Sequence, residues 1–438
     1  MTISVRTDRR LIRADALSER YILVSYVAPE APPRAERLPV NVALVLDRSG
    51  SMSGERKFDL AREAVEQSLR MLHSDDHFAL VVYNDEVNLL HASSFATPEA
   101  KRHALDALRD IGPSGSTDLC AGWMRGCEQI ADRLDADGVN RALLLTDGLA
   151  NQGTRDHETL VRHAGELRNR GIATSTFGVG SDFDERLLRD LAREGGGNFY
   201  FIENPTQIPD LLTSELGEAL EIVARDVVLR VILPPGANAE PLNSYRHSRS
   251  GAELFNQNEL RIELGDLVSS QDVRLAVRLE FPEGELGTAS RVVLALEGRG
   301  IAEARQHIEW TYASTADNDA QSRDLEVDRE VASLYAARAR AEATEANRHR
   351  DFASARRVLE RTADHIARYA GNDAELERLI DALHRDTARF AEREMTPLAR
   401  KAAFFEAEVV AFRRTPDGKA RRSPVRESVK PAEPRNGA

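Results

Sequence analysis

The sequence predicts a doubly wound, mostly parallel α/β sheet inserted in an antiparallel β-sandwich and followed by an α-helical module. Three observations lead there. Between about 38 and 221, apolar β-branched runs with little alternation (PVNVALVLD, NRALLLTDG, IATSTFGVG) alternate with amphipathic helical segments, as in a parallel sheet covered on both faces. From 222 to 313 the helical period gives way to period-two alternation between Gly/Pro turns, the mark of antiparallel strands. Residues 318–412 are rich in Ala, Arg, Glu and Leu at helical spacing, which predicts helices.

Composition sets the outer limits. A chain of 438 residues is too long for one ordinary core, so several domains are expected. With 42% hydrophobic and 30% charged residues it is neither a membrane bundle nor disordered as a whole. A formal net charge of −13 argues against nucleic acid as the main partner, because phosphate binding rests on a basic face. No apolar run approaches the ~18–20 residues needed to span a bilayer. The opening MTISVRTDRRLIRAD interrupts every apolar stretch with Arg or Asp, so no secretory signal is expected and the expected location is cytoplasmic. Cys120 and Cys127 fall on one predicted helix, about 10 Å apart along its axis, too far for a disulfide. The basic residues are almost all Arg; the lysines (Lys57, Lys101, Lys401, Lys419 and Lys430) point to no function by themselves.

The elements follow in order. Residues 1–36 hold two alternating stretches, ISVRTDRRLI and RYILVSYVA, closed by a Pro-rich linker. Lacking partners of their own, they are expected to complete the β-sandwich of 222–313. The strand PVNVALVLD leads through a Ser/Gly turn into the helix KFDLAREAVEQSLRML. DHFALVVYN and VNLLHASSF suggest a hairpin, PEAKRHALDALRDI a helix, and GPSGST a loop opening the helix DLCAGWMRGCEQIADRL. NRALLLTDG and IATSTFGVG are buried strands, each followed by a helix, and PTQIPDLLTSELGEALEIV closes the domain 38–221. ARDVVLRVILPP, AELFNQNELRIELGDL, DVRLAVRLEFPEG and ASRVVLALEGRG are the sandwich strands. Breaks near Arg348–Asp351, Gly371-Asn372 and Thr396-Pro397 divide 318–412 into three or four antiparallel helices. One helix pair faintly resembles a tetratricopeptide unit, but no second copy appears at that period. Residues 413–438 are rich in Pro, Lys, Arg and Ser with few apolar side chains to pack, and are expected to be disordered.

Chemistry concentrates in three separated pieces: Asp47-Arg48-Ser49-Gly50-Ser51, Gly115-Ser116-Thr117-Asp118 and Thr146-Asp147-Gly148. In an open parallel sheet all three fall at the carboxyl edge, where ligands collect. Asp47, Ser49, Ser51, Thr117 and Asp147 offer two carboxylates and three hydroxyls. These are hard oxygen donors suited to Mg²⁺ or Mn²⁺ and not to Zn²⁺. Mg²⁺ wants six ligands and keeps waters, so a donor set this sparse leaves a position for an outside carboxylate. Asp118 is expected to cap a helix. The dinucleotide and P-loop fingerprints are missing. Neither Ser49 nor Ser51 lies in a nucleophile elbow, since Met52 holds the central place of Gly50-Ser51-Met52-Ser53-Gly54. Met52, Arg48, Arg56, Asn151-Gln152 and Asp182–Asp184 are candidates to touch a partner, with plain loop filler the commoner role for such residues.

In order and spacing, VALVLDRSGSMSG, GSTDL, LLLTDG and FGVGSDFDERLLRDLAREGGGNFYFIE resemble the von Willebrand factor type A domain and its metal-ion-dependent adhesion site. The flanking sandwich is similar to that of bacterial stand-alone members and of inter-alpha-trypsin inhibitor heavy chains. The resemblance implies that Asp47, Ser49, Ser51, Thr117 and Asp147 hold the metal and that a partner protein's Asp or Glu completes its coordination. The expected function is therefore a non-enzymatic scaffold or adaptor. A metal-assisted hydrolase or phosphatase is the rival reading, and a secreted adhesion protein the third. Family members can couple ligand binding to movement of the last helix, here Pro205–Val223.

Overall fold

The computed structural model describes residues 3–32, 37–250 and 258–423. Short strands β1 (Ser4–Thr7) and β2 (Leu11–Arg13) precede the longer β3 (Ser18–Val27). The α/β domain then begins with β4 (Val40–Asp47), α1 (Lys57–Met71), β5 (His77–Tyr83) and β6 (Val87–Phe95). It continues with α2 (Pro98–Arg109), α3 (Leu119–Ala131), β7 (Val139–Thr146) and α4 (His157–Asn169). It closes with β8 (Ala173–Val179), α5 (Glu185–Glu194), β9 (Gly196–Ile202) and α6 (Ile208–Ala219).

The sheet order is β6-β5-β4-β7-β8-β9, with β6 antiparallel to β5 and every other pair parallel. β4 and β7 are buried at every residue because helices cover both faces, which is why their sequences run apolar without alternation. Val42, Leu44 and Leu46 pack toward α1 and α6, while Ala43 and Val45 pack toward α3. Helix α3 lies close on the sheet: a Cβ at Gly126 would come within 2.3 Å of Val45 Cγ2. Aspartates start many of the helices. Asp118, Asp156 and Asp184 each accept backbone N–H bonds at the first turn of α3, α4 and α5, satisfying donors that a helix leaves unpaired.

The chain then returns to β-structure with β10 (Ile222–Leu233), β11 (Asn238–Pro241), β12 (Arg246–Ser250) and β13 (Asn258–Val268). β14 (Asp272–Phe281), β15 (Ala289–Arg299) and β16 (Ala304–Ala313) follow. Two sheets form, β1-β3-β14-β11 and β12-β13-β10-β15-β16-β2. Residues 4–27 thus supply strands to both, and the α/β domain departs from and rejoins the sandwich. Ile22, Val24, Leu229, Val231, Leu275, Val277, Leu294 and Trp310 fill the space between the sheets. Trp310 Nε1 donates to Thr7 Oγ1 at 3.2 Å and to the Arg9 carbonyl at 2.9 Å, so its buried N–H is satisfied. The strands β11, β12 and β16 were not singled out by the alternation of the sequence. β11 and β12 have only four and five residues.

A short α7 (Thr315–Ala320) leads to α8 (Leu325–Arg348), α9 (Phe352–Ala370), α10 (Ala374–Ala391) and α11 (Pro397–Ala411). The start of α8 covers the outer face of β3 and β14, packing Val327, Val331 and Leu334 against Tyr21, Leu23 and Ala276. That contact explains why β3 is nearly all buried rather than alternating. The far end of the module rests on the α/β domain. Phe405 of α11 meets Phe199 and Phe201 edge-on, and Lys401 Nζ donates to Glu185 Oε2 at 2.6 Å and to the Phe183 carbonyl at 2.5 Å.

The expected disorder of 413–438 is corrected for residues 413–423. Arg414 pairs with Glu218 at 2.5 Å, the Ala420 N–H donates to Glu218 Oε1 at 2.7 Å, and Arg422 forms a β-bridge with Gln271. Order there comes from buried charge pairing and backbone bonds, which a count of apolar residues does not register. Residues 424–438 lie outside the described residues.

Candidate metal centre

The five oxygen-bearing residues singled out from the sequence converge on one spot at the carboxyl edge of the α/β sheet. Asp47 ends β4 and Asp147 follows β7, its parallel neighbour. Ser49 and Ser51 lie in the turn after β4, and Thr117 precedes the Asp118 cap of α3.

Backbone bonds knit these loops together. The Gly50 N–H donates to the Gly115 carbonyl at 3.0 Å, and the Ser114 N–H donates to the Arg48 carbonyl at 2.7 Å. The N–H groups of Asn151 and Gln152 both donate to the Thr117 carbonyl at 3.1 Å, while Asn151 Oδ1 accepts the Thr117 N–H at 2.8 Å. Gly115 has φ of 75°, and a Cβ on it would fall 1.9 Å from Asp85 Oδ1. Only glycine suits that position.

The side chains form a chain of oxygens. Ser49 Oγ and Ser51 Oγ are 3.0 Å apart, and Ser51 Oγ donates to Asp147 Oδ1 at 2.5 Å. Asp47 Oδ1 accepts the Ser49 N–H at 2.7 Å, and Asp47 Oδ2 accepts Thr146 Oγ1 at 2.6 Å. A Cβ on Gly148 would lie 3.6 Å from Ser51 Oγ and 3.7 Å from Thr117 Oγ1, so glycine keeps the space between these hydroxyls open. Asp47, Ser49, Thr117 and Asp147 are all buried.

Electrostatics separates the two carboxylates. Burial pushes the Asp47 carboxyl up to about 6, against the opposing effect of its bonds from Thr146 and Ser49, and the nearby Asp147 charge adds to the rise. Asp147 has a cation of its own: Lys57 Nζ donates to Asp147 Oδ2 at 2.7 Å. The donor set fits a hard divalent ion, with two carboxylates and three hydroxyls on one locus and one carboxylate, Asp47, that no cation among the described residues contacts. Among the described residues no group of three or more His, Cys, Asp or Glu could hold a metal, so a site here has to draw on hydroxyl oxygens.

The roles of three residues escaped the sequence reading: Thr146, which fixes Asp47; Asn151, which fixes the Thr117 backbone; and Lys57, which pairs with Asp147. The signal for Lys57 was available, since lysine is rare in a chain whose basic residues are almost all Arg. Met52 is corrected as a partner contact, because it is fully buried in the core with Val42, Leu46 and Phe58. Asp184 caps α5, and Asn151 and Gln152 remain exposed on the rim. Arg48 reaches sideways to Ser114 Oγ at 3.0 Å and Asn88 Oδ1 at 2.9 Å. Leu149, 57% exposed beside Asp147, is an apolar rim residue that the sequence did not flag.

Comparison with known proteins identifies this region. A family model described as von Willebrand factor type A domain matches residues 41–214. The uncharacterized protein YfbK of Escherichia coli (strain K12) is 28% identical over 56% of this chain and 43% of its own length. Human inter-alpha-trypsin inhibitor heavy chain H4 is 29% identical over 45% of this chain and 21% of its own length. The chain therefore spans less than half the length of either relative. A von Willebrand factor type A structure from Catenulispora acidiphila superposes with a TM-score of 0.68 at 19% identity, covering 96% of this chain and 97% of the other. The ArnB paralog VWA2 from Sulfolobus acidocaldarius gives 0.59 at 15% identity, covering 94% and 98%. These likenesses extend over the sandwich and helical module and concern the fold.

Proposed function

This chain carries a von Willebrand factor type A domain at residues 41–214, and we propose that it works as a non-enzymatic, metal-dependent protein-binding scaffold or adaptor. In this reading Asp47, Ser49, Ser51, Thr117 and Asp147 hold Mg²⁺ or Mn²⁺. The ion supplies an open coordination position to an Asp or Glu of a partner protein. The observation that carries the reading is the linked run of Ser49 Oγ, Ser51 Oγ and Asp147 Oδ1 across two loops, with Asp47 tied to the same turn through the Ser49 N–H.

The surroundings support binding in preference to turnover. Ser49 stands where a phosphoryl-transfer site would place its second aspartate, and its neighbours are oxygens already engaged with one another. The rim combines Leu149, Asn151, Gln152 and Arg56, all exposed, a mixture suited to a protein surface with an acidic side chain at its centre. The helical module, braced against both other domains, would offer a second contact surface. The proposal sets this interaction in the cytoplasm.

Calorimetric titration of Mg²⁺ and Mn²⁺ into the full chain and into Asp47→Ala tests the site. Saturable binding by the unaltered chain alone is the expected result. A partner captured by the full chain should be released by a chelator and lost with Asp47→Ala. Capture that survives both treatments would overturn the metal bridge. Turnover of phosphoesters that disappears in Asp47→Ala would favour the hydrolase reading instead.

A further inference from the structure

We infer that Lys57 is a built-in counter-cation that weakens the site's hold on the metal alone and makes retention depend on an anionic partner. The inference rests on the metal-binding reading above and adds to it how the site selects its ligand.

Lys57 is the first residue of α1, and its side chain is only 14% exposed. Its direction is set by the residues before it. Glu55 and Arg56 have φ of 51° and 57°, two consecutive left-handed residues without glycine, which L side chains adopt only under constraint from the surrounding fold. This turn leaves Glu55 and Arg56 exposed and points Lys57 inward. The ammonium lies 2.7 Å from Asp147 Oδ2 on one side and close to Gly180 on the other, where a Cβ would stand 3.9 Å from Nζ. Asp147 therefore offers one oxygen to Lys57 and the other to Ser51.

Charge counting gives the consequence. Asp47 and Asp147 together carry two negative charges, and Lys57 cancels one. A divalent ion added to that set leaves one positive charge in a buried place. An incoming carboxylate neutralises the excess, whereas water does not. Without Lys57 the two aspartates would neutralise the ion alone, and the site would hold it without asking for an anion. In a buried site such a charge difference is worth far more than at a solvated surface. A point charge on a flexible stem also suits this contact better than a guanidinium fork, in a chain that otherwise uses Arg almost everywhere.

Mn²⁺ titration of the full chain, followed by the paramagnetic resonance of free Mn²⁺ with and without acetate as the carboxylate probe, tests the inference. Lys57→Met should bind Mn²⁺ about tenfold more tightly than the unaltered chain and lose most of the gain that acetate confers. Lys57→Arg should keep both unaltered behaviours. If Lys57→Met fails to melt cooperatively, Lys57→Gln, which retains a hydrogen bond to Asp147, replaces it with the same expectation. Equal or weaker Mn²⁺ binding by the neutral variants, or neutral and Arg variants that behave alike, would overturn the role of Lys57 while leaving the metal site standing. No Mn²⁺ binding by any form, acetate included, would overturn the reading of the site and this inference with it.

Discussion

Strand β7 carries a buried acidic cluster at each end, and the two are solved in opposite ways. At its amino end Arg141 meets Glu215 of α6 at 2.6 Å. Glu215 also accepts from Ser175, from Tyr200 Oη at 2.6 Å and from Asn198 Nδ2 at 2.9 Å. Arg414 adds a second guanidinium, bonded to Tyr200 and Glu218. Burial alone would raise the Glu215 carboxyl, yet Arg141, Arg414 and these donors hold it below its ordinary value. At the carboxyl end Asp47 has a backbone N–H and one threonine hydroxyl but no cation in contact among the described residues, and its carboxyl is pushed up. Each Glu215 oxygen accepts two bonds from the chain. The second end is the one where the proposed metal ion would complete the set.

The largest expected effect comes from opening the closed end. Glu215→Gln takes the close carboxylate from buried Arg141, leaving it Asp266 at 3.7 Å while Arg414 keeps Glu218, and should cost about 3–5 kcal/mol in denaturant unfolding at neutral pH. The pH dependence has a definite sign. A carboxyl held below its ordinary value stabilises the fold above that value, and the benefit is lost as pH falls through the lowered one. The gap between the unaltered chain and Glu215→Gln should therefore be full near neutrality and narrow only under acid conditions, below the ordinary glutamate range. A gap that stays just as wide well below that range would show that packing, not charge, holds this end.

The open end should respond differently. Asp47→Asn removes a buried charge that lacks a contacting cation while keeping an acceptor for the Ser49 N–H, so in chelator it should melt no lower than the unaltered chain. Saturating Mg²⁺ should then separate the two. The unaltered chain should gain about 2.7 kcal/mol at a hundredfold excess over its Kd, and Asp47→Asn should gain nothing. Loss of stability in chelator as large as that of Glu215→Gln would erase the contrast between the two ends.

What the sequence made legible follows the same division. The open end is local in code: Asp47, Ser49 and Ser51 share one turn, and Thr117 and Asp147 sit at element ends that periodicity already locates. The parallel strands were equally plain, because burial on both faces writes itself as unbroken apolar runs. The closed end joins Arg141, Ser175, Tyr200, Glu215 and Arg414, each of which alone reads as an ordinary helix, strand or tail residue. Nothing in their spacing announces that a tail arginine would become buried against α6. Short strands such as β11 and β12 were lost for a related reason, since four or five residues hold too little alternation to count. Lys57 illustrates the limit best. Its rarity was visible, but its aim depends on the left-handed turn at Glu55 and Arg56, which no periodicity encodes.

The finest comparison removes one hydroxyl from each end. Tyr200→Phe deletes a donor to Glu215, but Asn198 still serves the same carboxylate oxygen and Arg141 and Ser175 serve the other. The expected loss is that of an ordinary hydrogen bond, about 0.5–1.5 kcal/mol. Thr146→Val deletes the only donor to Asp47 Oδ2 among the described residues, leaving that oxygen buried and unpaired. The expected loss in chelator is larger, about 1–3 kcal/mol, although Tyr200 is the bigger residue and sits at the more heavily charged end. Urea midpoints for both variants in chelator decide the order. A greater loss for Tyr200→Phe would mean that the hydroxyls at the closed end are as irreplaceable as those at the open one, and the redundancy that separates the two ends would have no energetic basis.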